Sequence, residues 1–148
     1  IADGYSDLTV LDLSATALDA AKKRLGVRAS AVKWIEADIT RVDFPPFEYD
    51  VWHDRAVFHF LTASQDRDAY VSAVLKTVKR GGHVIVGTFS EDGPDHCSGL
   101  PVMRYNADRL HSEFGESFAL VAQENEAHET PGGVVQQFVY CYCRKIGP

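Results

Sequence analysis

Apolar residues in this chain fall into short runs and helical stripes that alternate along its length. Thr9-Val10-Leu11 is an apolar, partly β-branched run, as suits a strand covered on both faces. Ser14 can cap a helix, and Ala15 to Leu25 carries Ala17, Leu18, Ala21 and Leu25 on one face before Gly26 stops it. The pattern then predicts strands over Val32–Ala37, Asp50–His53 and His83–Phe89, and a second long helix over Asp66–Val78 that ends at Gly81-Gly82. Phe44-Pro45-Pro46-Phe47 cannot continue a central strand, because proline donates no ladder bond, and it reads as a connection. A short helix over Ala107–Phe114 follows, stopped by Gly115, and then strands over Phe118–Ala122 and Val134–Tyr142 joined through Thr130-Pro131-Gly132-Gly133.

The order β-α-β, connection, β-α-β-α-β-β predicts an α/β fold. A mostly parallel sheet carries helices on both faces and closes with an antiparallel strand pair. Asp12 then stands at the carboxyl end of a strand, where open α/β sheets bind ligands and where an acid suits ribose hydroxyls; a plain helix-flanking turn residue is the other reading. Ser90 to Tyr105 is a long Gly-, Pro-, Asp- and Ser-rich segment above the fourth strand. It reads as a lid holding Cys97 and Arg104, or as a surface connection.

Composition narrows the partners. The chain has 148 residues, enough for one domain with a real core. A net charge of −6 argues against a nucleic-acid surface built on bulk positive charge. Lys22-Lys23-Arg24 reads as a solvated helix face. Cys97, Cys141 and Cys143 are odd in number and lack CxxC spacing, which argues against a disulfide framework or a zinc knuckle and fits reduced thiols in the cytoplasm. No apolar run approaches a membrane span, and no signal peptide is visible.

The order of elements and the placing of the acids resemble class I S-adenosylmethionine-dependent methyltransferases over nearly the whole chain. The resemblance gives Asp12 the cofactor ribose, Leu13 the adenine face, Asp38 the adenine amino group and Ile39 a place beside the ring. Tyr49-Asp50 matches the opening of the family's fourth strand, and His53-Asp54-Arg55 its reaction end, with His53 at the cofactor. Lys79-Arg80-Gly81-Gly82 matches the entry to the fifth strand, with arginine where the family has proline. Trp52-His53-Asp54-Arg55 also looks like the Trp-Asp-Arg segment of thiopurine-type and some lysine methyltransferases. The implied activity is methyl transfer from S-adenosylmethionine to a small molecule or a protein side chain. Asp54, Arg55 and His59 are the candidate catalytic residues. Arg55 could clamp an acidic substrate or pair with Asp54, and His59 could be a general base or a satisfied structural histidine. His128, ahead of the last strand, could reach the same mouth.

The sequence opens on Ile1, and only eleven residues precede Asp12. The family's glycine-rich loop should lie about 20 residues before the ribose acid. The resemblance therefore implies that this loop and the first central strand are absent from this sequence, leaving a single, N-terminally incomplete domain. Unpaired strand edges would follow, with weak cofactor binding and a tendency to form homo-oligomers. A second reading is a nonenzymatic α/β remnant acting as a binding or self-associating module. A third, another nucleotide-binding enzyme such as a dehydrogenase, fits the closing antiparallel pair poorly.

Overall fold

The computed structural model describes residues 4–147. The chain divides into two compact units, one ending at Asp43 and one beginning at Phe44, at the Pro45-Pro46 connection.

In the first unit, β1 (Leu8–Asp12) pairs in parallel with β2 (Val32–Glu36), and α1 (Ala15–Leu25) crosses between them. The helix begins where the sequence marks it. Ser14 is extended and its Oγ accepts the Ala17 N–H at 3.2 Å, while Asp12 Oδ1 accepts the Ser14 N–H at 2.8 Å. It ends at Gly26, whose φ of 57° is in the left-handed region glycine tolerates and whose N–H reaches the carbonyls of Lys22 and Lys23. Lys22, Lys23 and Arg24 thus occupy the last turn, where positive charge complements the helix dipole.

The second unit is built on a four-stranded sheet of order β3-β4-β8-β7, comprising β3 (Tyr49–Arg55), β4 (Val78–Phe89), β7 (Phe118–Glu129) and β8 (Val135–Lys145). β3 and β4 are parallel; β8 runs antiparallel to β4, and β7 to β8. Helices α2 (Ser64–Thr77) and α3 (Ala107–Phe114) accompany it, and a small hairpin of β5 (His96–Cys97) and β6 (Leu100–Pro101) stands between β4 and α3. The expected α/β class and closing antiparallel pair are both present. The four expected parallel strands form two parallel pairs, one in each unit.

Register sorts the sheet's side chains onto two faces. Trp52, Asp54, Val84, Val86, Thr88, Val139, Cys141 and Cys143 share one face, and all but Trp52 are buried. Trp52 Nε1 donates to Tyr70 of α2, and Cys141 Sγ to the Ala107 carbonyl of α3, so both helices pack on this side. Burial raises the thiols of Cys141 to about 12 and of Cys143 to about 11, which keeps them protonated. Val51, His53, Arg55, Ile85, Gly87, Phe89, Phe138, Tyr140 and Tyr142 lie on the other face.

Several boundaries differ from the sequence reading. α2 ends at Thr77, before the glycines, because β4 already begins at Val78. Lys145, reaching back from the last strand, donates Nζ to the carbonyls of Leu75 and Val78 at 2.6 and 3.0 Å and closes the helix end. Gly81-Gly82 instead forms a bulge where the β3–β4 register shifts; a Cβ on Gly82 would overlap the Asp50 carbonyl. β7 runs to Glu129, well past the expected Ala122. The segment from Ser90 to Tyr105 is fastened at both ends, by Ser90 N–H to Gln137 O at 2.9 Å and Tyr105 N–H to Phe89 O at 3.1 Å. Arg104 pins its interior by donating to the carbonyls of Glu91 and Gly93. Among the described residues no helix is long and apolar enough to cross a membrane.

Candidate functional site

In the first unit the two expected cofactor acids stand at the carboxyl ends of neighbouring parallel strands. Asp12 ends β1, and its carbonyl accepts the Ala37 N–H at 3.2 Å, one residue before Asp38. Asp12 commits Oδ1 to Ser14, and Oδ2 has no partner among the described residues. Asp38 Oδ1 accepts both the hydroxyl and the N–H of Thr40, at 2.7 and 2.9 Å, and these bonds hold its carboxyl below the ordinary range. Leu13 is 72% exposed, whereas Ile39 is buried.

In the second unit the expected catalytic trio comes apart, for a simple reason. Adjacent strand residues point to opposite faces, so Asp54 and Arg55 diverge and do not pair. Asp54 turns toward α2 and is 6% exposed. It accepts the Tyr70 hydroxyl at 2.7 Å and the N–H groups of Val57 and Phe58 at 2.9 and 3.0 Å, which organises the turn after β3. Burial raises its pKa, opposed by those three donors.

His59, in the short 3₁₀ turn Phe58–Phe60, has no exposed surface and lies against the rings of Phe60 and Phe89. Its Nδ1 accepts the Phe89 N–H at 3.4 Å, and burial lowers its pKa to about 4, so the ring is neutral. His53 is exposed on the same face of the sheet as Arg55.

Arg55 leads to residues that strand patterning alone did not mark. Its Nε donates to the Tyr140 hydroxyl at 2.7 Å, its guanidinium lies 4.5 Å over the Phe138 ring, and it approaches Glu126 at 3.6 Å. Tyr140 in turn donates to Glu126 at 2.6 Å. That bond, with the Arg55 charge behind it, holds the Glu126 carboxyl below its ordinary range, while Tyr140 is raised, first by burial and then by the bond it gives. Glu126 also lies 3.8 Å from Nδ1 of His128, which is edge-on to the Phe138 ring. His128 therefore belongs to a strand rather than to a turn, two residues from Glu126 and on its face. The available signal was the alternation Glu124-Asn125-Glu126-Ala127-His128, a period-two run of charge.

Chain direction places this group. Phe89 at the carboxyl end of β4 is in register with Phe138, and Phe138 with Glu126. Arg55, Glu126, His128 and Tyr140 thus gather at the carboxyl end of β3 and β4, the end at which parallel sheets place ligands. A separate polar cleft of about 400 Å³ opens beside the start of α3, lined by residues that include Glu91, Asn106, Asp108 and Asn125. Asn125 shares the register position of Val139, on the opposite side of the sheet from Arg55.

The sequence model of the methyltransferase domain family matches residues 1–86, more than half of the chain. Among solved structures, the N-methyltransferase NodS from Bradyrhizobium japonicum WM9 is similar, with a TM-score of 0.73 at 17% identity over 94% of this chain and 73% of that one. A SAM-dependent methyltransferase from Methanosarcina mazei matches with a TM-score of 0.77 at 12% identity, over 99% of this chain and 84% of that one. The 1,6-didemethyltoxoflavin-N1-methyltransferase of Burkholderia thailandensis, with bound 1,6-didemethyltoxoflavin and S-adenosylhomocysteine, matches with a TM-score of 0.70 at 16% identity, over 93% of this chain and 60% of that one. At such identities the likeness is one of fold. No curated protein matches the chain by sequence.

Proposed function

The chain belongs to the methyltransferase domain family, and we propose on that premise that it transfers a methyl group from S-adenosylmethionine to a small molecule or a protein side chain. The observation that carries the cofactor assignment is the pair Asp12 and Asp38 at the carboxyl ends of adjacent parallel strands. Asp12 keeps Oδ2 free to accept from ribose hydroxyls, and exposed Leu13 offers apolar surface to a base. Asp38 is pre-set as an ionised acceptor by Thr40. Ile39 is a further proposed contact; His53, in the second unit, stays what the family resemblance implies. S-adenosylmethionine, when bound, supplies an electrophilic methyl group on a sulfonium.

The protein's own part is placement and charge. Asp54 acts by holding the turn after β3, through Val57, Phe58 and Tyr70, rather than by touching substrate. Arg55 is the member of the expected trio that faces the ligand end of the sheet. His59 supports that end from below, packed on Phe89.

Calorimetry with S-adenosylmethionine and S-adenosylhomocysteine on the full protein tests this reading. Asp12→Ala should weaken binding by about 1–3 kcal/mol, the scale of a lost bond to a charged group. Asp38→Ala should cost less, since Thr40 engages its Oδ1 and Arg41 lies 3.5 Å from its Oδ2, whereas Asp12 has only Oδ1 engaged. No heat with either ligand in the unaltered protein would sink the proposal and favour a nonenzymatic binding module.

A further inference from the structure

We propose that Thr40 makes the cofactor site selective for a base that carries an amino group, by fixing one oxygen of the Asp38 carboxylate and leaving the other to meet that group. This rests on the methyltransferase reading above and adds a positioning residue and the feature of the base that it selects. Every group involved lies in the first unit.

Asp38 opens the turn that follows β2. The backbone closes this turn without help from side-chain polar groups. The Asp38 carbonyl accepts the N–H groups of Arg41 and Val42 at 3.0 and 3.1 Å, and the Ile39 side chain is buried. The carboxylate is held separately. Its Oδ1 accepts the Thr40 N–H at 2.9 Å, which makes an Asx turn, and the Thr40 hydroxyl at 2.7 Å. Two donors converging on one oxygen fix where that oxygen sits. With Oδ1 fixed, rotation about the Cβ–Cγ bond stops and the direction of Oδ2 is set. The Thr40 hydroxyl does more than the Thr40 N–H, and more than Arg41, to hold the acid below its ordinary range.

Oδ2 is the atom left to a ligand. Its neighbour is Arg41, whose Nε lies 3.5 Å away on a side chain that is 85% exposed. An ion pair this long and this exposed is weakly held, so a ligand donor can take its place. The Asp38 side chain is itself 39% exposed and open to approach. An ionised carboxylate oxygen only accepts hydrogen bonds. An amino group on the base gives it a donor, and a base with hydrogen at that position gives it none. Thr40 touches no ligand in this arrangement and acts through Asp38.

Calorimetry on the full protein tests this with S-adenosylhomocysteine and its deamino analogue, which has hydrogen where adenine has its exocyclic amino group. The unaltered protein should prefer S-adenosylhomocysteine by about 10-fold, the scale of a hydrogen bond to a charged group. Thr40→Val removes the hydroxyl and keeps the branched side chain, the backbone turn and the N–H bond to Oδ1. It should weaken S-adenosylhomocysteine binding by about 5-fold, the scale of one hydrogen bond, and leave the analogue's affinity unchanged. Thr40→Ala should show the same pattern, and Thr40→Ser should restore the preference. In an Asp38→Ala background, Thr40→Val should have no further effect, which a merely structural role for the threonine does not predict. Arg41→Ala should keep the preference. Equal weakening of both ligands by the hydroxyl-free variants, an unchanged preference in them, or the same loss with Asp38 already removed overturns the proposal and leaves cofactor binding standing. Loss of the preference in Arg41→Ala, or its absence from the unaltered protein, does the same. Binding of neither ligand to the unaltered protein defeats the underlying reading and this proposal with it.

Discussion

The ring of Tyr140 covers Gly87, its register partner across β4 and β8, so closely that a methyl group at residue 87 would overlap it. Arg55 is the register partner of Gly87 on the other side. The missing side chain is thus the space through which the Tyr140 hydroxyl meets Arg55 Nε and goes on to Glu126.

Gly87→Ala should therefore act on two things at once. Overpacking should destabilise the protein by about 1–3 kcal/mol, read as a lower urea midpoint with an unchanged slope. The displaced hydroxyl should release Arg55 and Glu126. A variant with the wild-type midpoint would contradict the packing described here.

Tyr70→Phe should cost about 1–3 kcal/mol, because it leaves Trp52 Nε1 without its acceptor and removes one of three donors from buried Asp54. The pH dependence has a definite sign. Burial raises the Asp54 pKa above 3.8, so the stability tied to its protonated form is full below 3.8 and is lost as pH rises through the folded-state value. The Tyr70 bond supports the ionised form that remains. Equilibrium unfolding should then show a wider gap between wild type and Tyr70→Phe at neutral pH than near pH 4; a constant gap would place the carboxyl's stabilisation elsewhere.

His59 should leave a separate mark on stability. Its pKa falls from 6.5 to about 4 on folding, so between those values the unfolded chain binds more protons. Its contribution is present above 6.5 and is lost as pH falls toward 4. His59→Leu should lower stability overall by removing the acceptor for the Phe89 N–H, and should flatten the rise of unfolding free energy across that window. Parallel curves for variant and wild type would show that the imidazole is charged or exposed in the folded protein.

Some of this architecture was determined by the sequence alone. α1 and α3 begin and end where the residues say, because their caps are local. Ser14 and Asn106 accept N–H groups three residues on, and Gly26 and Gly115 supply the positive φ that stops each helix. The alternation of elements was equally legible, since apolar periodicity reports burial without reference to any partner, and with it came the acids at the ends of β1 and β2.

Tertiary structure decided the rest. β7 continues through Gln123–Glu129 although none of those side chains is buried and only Ala127 is apolar, because its backbone pairs with β8 and an edge strand needs no buried side chains. α2 stops four residues short of Gly81 because β4 claims Val78, and Lys145, from the far end of the chain, closes the helix. At the candidate site, neighbours in sequence parted and strangers met. Asp54 and Arg55 are driven to opposite faces by the pleat, and Arg55 finds Tyr140 85 positions away. Hydrophobic periodicity records which side of an element is buried. The partner a charged group finds across a sheet depends on register, and register is set only when the strands pair.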